Sequence, residues 1–174
     1  MNRRDDTPKQ DRSKPTTRHR IMALAQLEFI KRAEALHFLD TPGTGKSHLA
    51  TAISTAAVRA GRSVYQCSLA ELIEALTKAE REGRLAEKIR LYARASLLIV
   101  DEIGYLPITS GGTNLFYQLV NARHEKGAMI LTSNRGFAEW GEIFGDPVVA
   151  HARLDRLLHP AVVVQIEGAS YRLG

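Results

Sequence analysis

The chain has 174 residues, with 24 Lys and Arg against 19 Asp and Glu, and therefore a formal net charge of +5. Seven basic and three acidic groups fall in residues 1–20, so the remainder is nearly neutral and its charge does not mark it as a general nucleic-acid binder. One cysteine, Cys67, excludes an internal disulfide framework and any multi-cysteine metal site. Apolar runs are too short to span a bilayer and no signal peptide is recognisable, so we expect a cytoplasmic protein without a membrane partner.

Residues 1–20 contain two prolines, ten charged residues and almost no apolar side chain. Such a segment buries too little surface to offset the entropy of ordering, so we predict a disordered basic tail. A solvated tail is favoured over a specific DNA-binding arm. Residues 21–174 are predicted to form one folded domain that opens with a helix over 21–35, where Leu24, Leu27 and Ile30 share one side.

Beyond this helix, short apolar runs alternate with helical patterns. Strands are predicted at residues 36–39, 63–68, 97–101, 128–132 and 161–166. Helices are predicted at 46–60, at 70–93 with a break at Gly83, at 113–126, and from Pro147 to about 158. This alternation indicates an α/β fold with a parallel sheet between two layers of helices. Ligands of such sheets bind beyond the carboxyl ends of the strands.

A phosphate-binding loop is predicted between the first strand and the following helix. The segment DTPGTGKS, residues 40–47, matches seven of the eight positions of the pattern G-x-x-x-x-G-K-[ST]. Gly43 and Gly45 allow the backbone to approach phosphates closely, and the N-terminus of the helix favours negative charge. We expect Lys46 to reach the outer phosphates and the Ser47 hydroxyl to hold Mg²⁺. The alternative is a glycine-rich turn that binds no ligand.

Asp40 departs from this pattern, because it stands where the first glycine belongs. Aspartate tolerates some left-handed conformations, so the turn itself can form. A carboxylate near a triphosphate repels it unless it points away or is paired. We therefore expect a weakened affinity for the nucleotide.

Acidic and amide side chains follow two of the apolar strands. The segment LLIVDE ends in Asp101 and Glu102, and the segment MILTSN ends in Asn134. In this setting Asp101 is placed to hold Mg²⁺, and Glu102 to polarise a water for attack on the terminal phosphate. Two solvated acids are the alternative. Asn134 either orients that water or caps the next helix, and the spacing favours neither.

Two further groups of charged residues carry weaker signals. A C-terminal segment contains two arginines that could neutralise a phosphoryl group, and spacing gives no preference between Arg153 and Arg156. Its histidines, His151 and His159, lack the spacing of a zinc helix and are interpreted as structural. A second group of basic residues is interleaved with glutamates, which favours a solvated, salt-bridged face over a phosphate-contacting patch; it comprises Arg81, Arg84, Lys88, Arg90 and Arg94.

The ordered set of motifs resembles the IstB-like ATP-binding proteins, helper ATPases of bacterial insertion sequences that are related to DnaC-type helicase loaders in the AAA+ group. The motifs are TPGTGKSHLA, LLIVDEIGYLP, ILTSN, FAEWGEIFGDP, LDRLLH and GASYRLG. The resemblance covers residues 24–174. GYLP and EWGEIFGDP are the most specific, and they favour the transposition helpers over the helicase loaders.

This resemblance implies a three-layer α/β sandwich, a P-loop NTPase of AAA+ type with a reduced or absent C-terminal lid. Family members carry a helical N-terminal module, of which only residues 21–40 resemble the end and the first strand, so we expect most of that module to be missing. The implied site residues are those of the nucleotide loop, Pro42, Gly43, Thr44, Gly45, Lys46 and Ser47, the pair Asp101 and Glu102, the sensor Asn134, and Arg156 as an arginine finger acting on the adjacent subunit.

The implied function is a helper of DNA transposition that uses ATP and Mg²⁺. Such proteins assemble on DNA as ATP-dependent homo-oligomers and assist a transposase. Two alternatives remain open, a DnaC-like replicative helicase loader and a nucleotide-impaired remnant of a transposition helper.

Overall fold

A five-stranded sheet forms the centre of the molecule in a computed structural model that describes residues 17–39, 43–145, 152 and 161–165. Its strands lie in the order β2-β3-β4-β1-β5, and every neighbouring pair is parallel. The predicted parallel α/β fold is confirmed. The strands are β1 (Ala35–Leu39), β2 (Val64–Ser68), β3 (Leu97–Ile103), β4 (Ala128–Ser133) and β5 (Ala161–Gln165).

Helices connect these strands. The predicted break at Gly83 is confirmed, since Gly83 has a φ of 69° between α4 and α5. The helix predicted at 113–126 begins three residues earlier, because the Thr109 side chain accepts a hydrogen bond from the Gly112 amide and caps it. The helices are α1 (Thr17–Leu24), α2 (Glu28–Lys31), α3 (Lys46–Arg59), α4 (Leu69–Arg81), α5 (Leu85–Arg94), α6 (Ser110–Arg123) and α7 (Phe137–Ile143).

The start of the chain differs from the prediction in two respects. Residues 17–20 belong to α1, so the predicted tail extends too far, and residues 1–16 lie outside the described part. The single helix predicted over 21–35 is also wrong: it is divided at Leu27, which has a φ of 61°, and Ala35 already pairs in β1. The division places Phe29 and Ile30 in the core and leads the chain into the sheet. Two short helices satisfy the apolar spacing as well as one long helix does.

Two further differences concern the second half of the chain. Helix α7 was not predicted, although it buries Trp140 completely. The helix predicted from Pro147 to about 158 falls outside the described residues except for Ala152.

Side chains that alternate along the strands fill two apolar layers, one on each face of the sheet. On β3, Leu98 and Val100 join the layer under α4, α5, α6 and α7, while Leu97 and Ile99 join the layer under α2 and α3. Each face is therefore covered, as parallel sheets require. None of the described helices is long and apolar enough to cross a membrane.

Candidate functional site

The phosphate loop leads directly into α3. Gly43 and Gly45 have φ values of 85° and 88°, which residues with a side chain rarely adopt. A Cβ at Gly45 would meet no heavy atom within 4 Å, so the backbone borders open space beside the first turn of the helix. Lys46 is only 9% exposed, and its Nζ donates a hydrogen bond to Thr44 Oγ1 at 3.3 Å. The loop thus presents backbone and a lysine at a positive helix end.

The acidic pair lies in a β-bulge at the end of β3. Val100 pairs with Leu131 and Ile103 pairs with Ser133, so two residues, Asp101 and Glu102, lie opposite one residue of β4. Glu102 adopts a left-handed φ of 61°, a strain that costs on the order of 1–3 kcal/mol for a residue with a side chain. This kink turns the Glu102 side chain, which is exposed, away from the regular alternation of the strand.

Thr132 of β4 fastens this bulge. The Glu102 amide donates to Asp101 Oδ1 at 2.9 Å and to Thr132 Oγ1 at 3.1 Å. The Thr132 hydroxyl in turn donates to Asp101 Oδ1. Thr132 was not among the predicted site residues. Its signal in the sequence is a hydroxyl group within an otherwise apolar strand, and the structure buries that side chain to 1% exposure.

One cavity of about 700 Å³ brings seven of the predicted site residues together. It forms because β4 lies between β1, which precedes the phosphate loop, and β3, which ends in the acids. The cavity also has Tyr105 in its wall, a residue that the sequence did not indicate. Within the described part of the chain, its lining comprises Gly43, Gly45, Lys46, Ser47, His48, Asp101, Glu102, Tyr105, Thr132, Ser133 and Asn134.

Among the predicted site residues that the structure describes, Thr44 alone does not line the cavity. It is buried within the loop and accepts the hydrogen bond of Lys46. Pro42 and Arg156 lie outside the described residues, as do Asp40, Arg153 and both histidines of the C-terminal segment, so their roles stay predictions.

The donor set of the cavity fits a magnesium-bound nucleotide. The Ser47 hydroxyl and the Asp101 carboxylate supply oxygen ligands, which Mg²⁺ prefers. Lys46 supplies a positive charge, and the open space at Gly45 leaves room for phosphate oxygens. The volume is also within the range of small-molecule sites.

The segment GYLP, residues 104–107, follows the acidic pair and begins beside α7. Gly104 has a φ of 84°, and a Cβ there would lie 2.7 Å from Ile143 Cδ1, so this turn requires glycine. The turn exposes two large apolar side chains, Tyr105 at 69% and Leu106 at 54%. Tyr105 therefore borders the cavity on one side and solvent on the other.

A second concave surface lies between α4 and α5, which we call the basic groove. Its volume is about 800 Å³, and five cations line it together with two acids, Glu82 and Glu87. Within the described part of the chain Arg84 alone among these cations forms an ion pair, with Glu87 at 3.3 Å. The sequence favoured a solvated, salt-bridged face for these basic residues. The described residues show one ion pair there, between Arg84 and Glu87. Arg81 does not line the groove. The cations are Lys78, Arg84, Lys88, Arg90 and Arg94.

A phosphate loop after β1, an acidic pair at the end of β3 and the strand β4 between them define the fold of P-loop NTPases of the AAA+ type. The crystal structure of the DnaC helicase loader has the same fold. Its TM-score to this chain is 0.70 at 20% identity, with 88% of this chain and 92% of that chain covered.

Sequence comparison narrows this class. Residues 9–174 match the family described as IstB-like ATP binding protein. The chain is 49% identical over 153 residues to the insertion sequence IS21 ATP-binding protein of Pseudomonas aeruginosa, covering 88% of this chain and 58% of that protein. It is 43% identical over 154 residues to the insertion sequence IS5376 ATP-binding protein of Geobacillus stearothermophilus, covering 88% and 61%. The chain belongs to the IstB-like ATP-binding family and spans about three fifths of the length of these two relatives.

Proposed function

We propose that this chain binds and hydrolyses ATP with Mg²⁺ as a helper of DNA transposition. The observation that carries the ATPase proposal is the single cavity lined by Lys46, Asp101 and Glu102. The insertion-sequence relatives support the setting in transposition. Arg156 would complete the site of an adjacent subunit in an ATP-dependent oligomer.

In the proposed reaction, the loop amides and the Lys46 ammonium group neutralise the phosphate charge. Bound Mg²⁺, held by Ser47 and Asp101, would supply further positive charge on the phosphate oxygens. Glu102 accepts a proton from a water whose oxygen bonds to the terminal phosphorus, while the bond from that phosphorus to the bridging oxygen breaks and ADP leaves. The Asn134 amide orients this water or the terminal phosphate.

Hydrolysis tests the assignment of Glu102. We expect Glu102→Gln to lower kcat by about 100-fold or more, because general-base catalysis contributes at least that much. A matched control is Glu74→Gln, since Glu74 is an exposed acid on α4 that does not line the cavity. Phosphate release is measured at saturating ATP and Mg²⁺. Equal kcat values for Glu102→Gln and the wild type would reject the role of Glu102.

DNA is the proposed macromolecular partner, and the basic groove is the feature that supports it. Four of its cations, Lys78, Lys88, Arg90 and Arg94, have no ion pair within the described part of the chain. The five cations of the groove outnumber its two acids, and an excess of positive charge on one concave surface matches a chain of phosphates. Lys88 is half-buried, and its Nζ lies 5.3 Å from the centroid of the Tyr92 ring. This contact helps to hold the Lys88 side chain in place on α5.

Salt dependence tests this surface. We expect the triple variant Lys78→Gln, Arg90→Gln, Arg94→Gln to bind DNA more weakly and to lower the slope of log affinity against log salt by up to about 3, since each phosphate contact contributes about 0.9. The control triple variant Arg59→Gln, Arg62→Gln, Arg81→Gln removes the same charge from exposed positions outside the groove. Equal slopes in the two triple variants would place the DNA contact elsewhere.

Two other functions are distinguished by separate observations. A replicative helicase as the bound partner, in place of a transposase encoded beside this chain, would favour a DnaC-like loader. A nucleotide-impaired remnant would be indicated if Asp40→Gly sharply raised the affinity for ATP in calorimetry. Equal affinities of Asp40→Gly and the wild type would dismiss that alternative.

A further inference from the structure

The hydroxyl group of Thr132 connects the two acids on which the proposed reaction depends. It donates to Asp101 Oδ1 and accepts from the Glu102 amide at 3.1 Å. The same Oδ1 accepts the Glu102 amide at 2.9 Å, so the three groups form a closed ring of hydrogen bonds. Asp101 Oδ2 accepts no hydrogen bond from the described residues, and the carboxylate lines the cavity beside Ser47.

Backbone geometry alone does not hold this arrangement. Glu102 lies where the register of β3 and β4 shifts, between Val100 and Ile103. Its φ of 61° is one that a glutamate adopts only when its surroundings enforce it. Its amide donates to two side-chain oxygens, Asp101 Oδ1 and Thr132 Oγ1, and Thr132 is the one that comes from the neighbouring strand.

We propose that Thr132 is a positioning residue for the metal and the attacking water. It occupies Oδ1 of Asp101, which leaves Oδ2 for the cation, and it holds Glu102 in the bulge that directs its carboxylate into the cavity. This inference rests on the proposed ATPase function, in which Asp101 holds Mg²⁺ and Glu102 receives the proton. Thr132 itself touches neither the metal nor the water in this scheme, and it acts through the two acids.

A buried threonine of α6 provides a matched control. Thr113 is 6% exposed, and it does not line the cavity. Thr113→Val makes the same exchange of a hydroxyl for a methyl group as Thr132→Val. It leaves the ring of hydrogen bonds around Asp101 complete.

The test compares the affinity of the chain for a non-hydrolysable ATP analogue in Mg²⁺ and in EDTA. Thr132→Val should reduce the gain in affinity from Mg²⁺ by about tenfold, as loss of an outer partner of a metal ligand does. Affinity in EDTA should not change, because Lys46 and the loop are intact. Thr132→Ser should restore the gain, and Thr113→Val should keep it. Thermal melting shows whether the Thr132→Val protein folds. If it does not, Thr132→Ala serves as the second variant.

The ATPase assay adds a second readout. Thr132→Val should raise the Mg²⁺ concentration for half-maximal rate by about tenfold and lower kcat with little change in KM for ATP. If the wild type gains affinity from Mg²⁺ and both Thr132→Val and Thr132→Ala retain that gain, the inference about Thr132 is overturned. The proposed function is not affected by that result. A loss of that gain in Thr132→Ser or Thr113→Val as large as in Thr132→Val would also overturn the inference. A wild type that neither gains affinity from Mg²⁺ nor hydrolyses ATP would overturn the proposed function, and the inference with it.

Discussion

Arg123 shows how a single charged residue serves the fold without serving the site. Its side chain is 1% exposed, and its guanidinium donates to the carbonyls of Tyr92, Ala95 and Ala128. Burial lowers the pKa of Arg123 to about 10. The side chain thereby joins the end of α5 to the first residue of β4. An arginine in the last turn of a helix is usually solvated, so nothing in the sequence marked this one as buried.

Replacing this arginine should cost stability. We expect Arg123→Met to lower the free energy of unfolding by at least about 2 kcal/mol, because three buried carbonyls lose their donor. Arg81→Met is the control, since Arg81 is exposed at the end of α4, and it should stay within about 0.5 kcal/mol of the wild type. Urea denaturation measures both. Equal stability of the two variants would show that water satisfies these carbonyls.

The phosphate loop was predictable at the residue scale because its function depends on neighbours in sequence. Gly43, Gly45, Lys46 and Ser47 lie in one short segment, and the structure places them in the cavity. The role of Thr132 was not predictable in the same way. It depends on a register shift between β3 and β4, two strands that are far apart in the chain.

At the scale of elements, the packing of α4 against α6 depends on one of two adjacent glycines. A Cβ at Gly112 would lie 2.7 Å from Ile73 Cγ2 and 3.2 Å from Ile108 Cγ2, both on stiff β-branched side chains. A Cβ at Gly111 would meet no heavy atom within 4 Å. Substitution at Gly112 therefore tests close packing, whereas substitution at Gly111 tests only the preference of a helix for alanine.

Alanine substitutions at these positions should have opposite effects. We expect Gly112→Ala to lower the free energy of unfolding by about 1–3 kcal/mol through overpacking. Gly111→Ala should leave it unchanged or raise it by up to about 1 kcal/mol through helix propensity. Thermal or urea unfolding of both variants decides the matter. If Gly112→Ala were as stable as Gly111→Ala, the contact between α4 and α6 would be loose at this point.

Periodicity predicted the long elements well and the short ones poorly. Helix α3 and the pair α4 and α5 have regular apolar spacing and glycine stops, and their bounds agree closely with the prediction. Helix α7 has only seven residues, too few for a periodic pattern. Its one local signal is Glu139, whose carboxylate accepts the Gly136 amide at 3.0 Å and caps the N-terminus.

The order of the strands explains the site at the scale of the whole molecule. Alternating strands and helices predicted that all strand ends share one edge of the sheet. They did not predict that β4 is inserted between β1 and β3, because strand order depends on long-range packing. That insertion places Asn134 and Thr132 between the lysine of the loop and the acids. The result is one cavity in which the loop, the acids and Asn134 meet.

A calorimetric titration decides whether this site binds ATP. A non-hydrolysable ATP analogue is titrated into the wild type and into Lys46→Ala in the presence of Mg²⁺. We predict saturable binding to the wild type that is at least about tenfold weaker in Lys46→Ala, since a charge-assisted hydrogen bond contributes about 1.5–3 kcal/mol. Absence of binding to the wild type, or equal affinity in the two proteins, would show that this cavity is not an ATP site that uses Lys46.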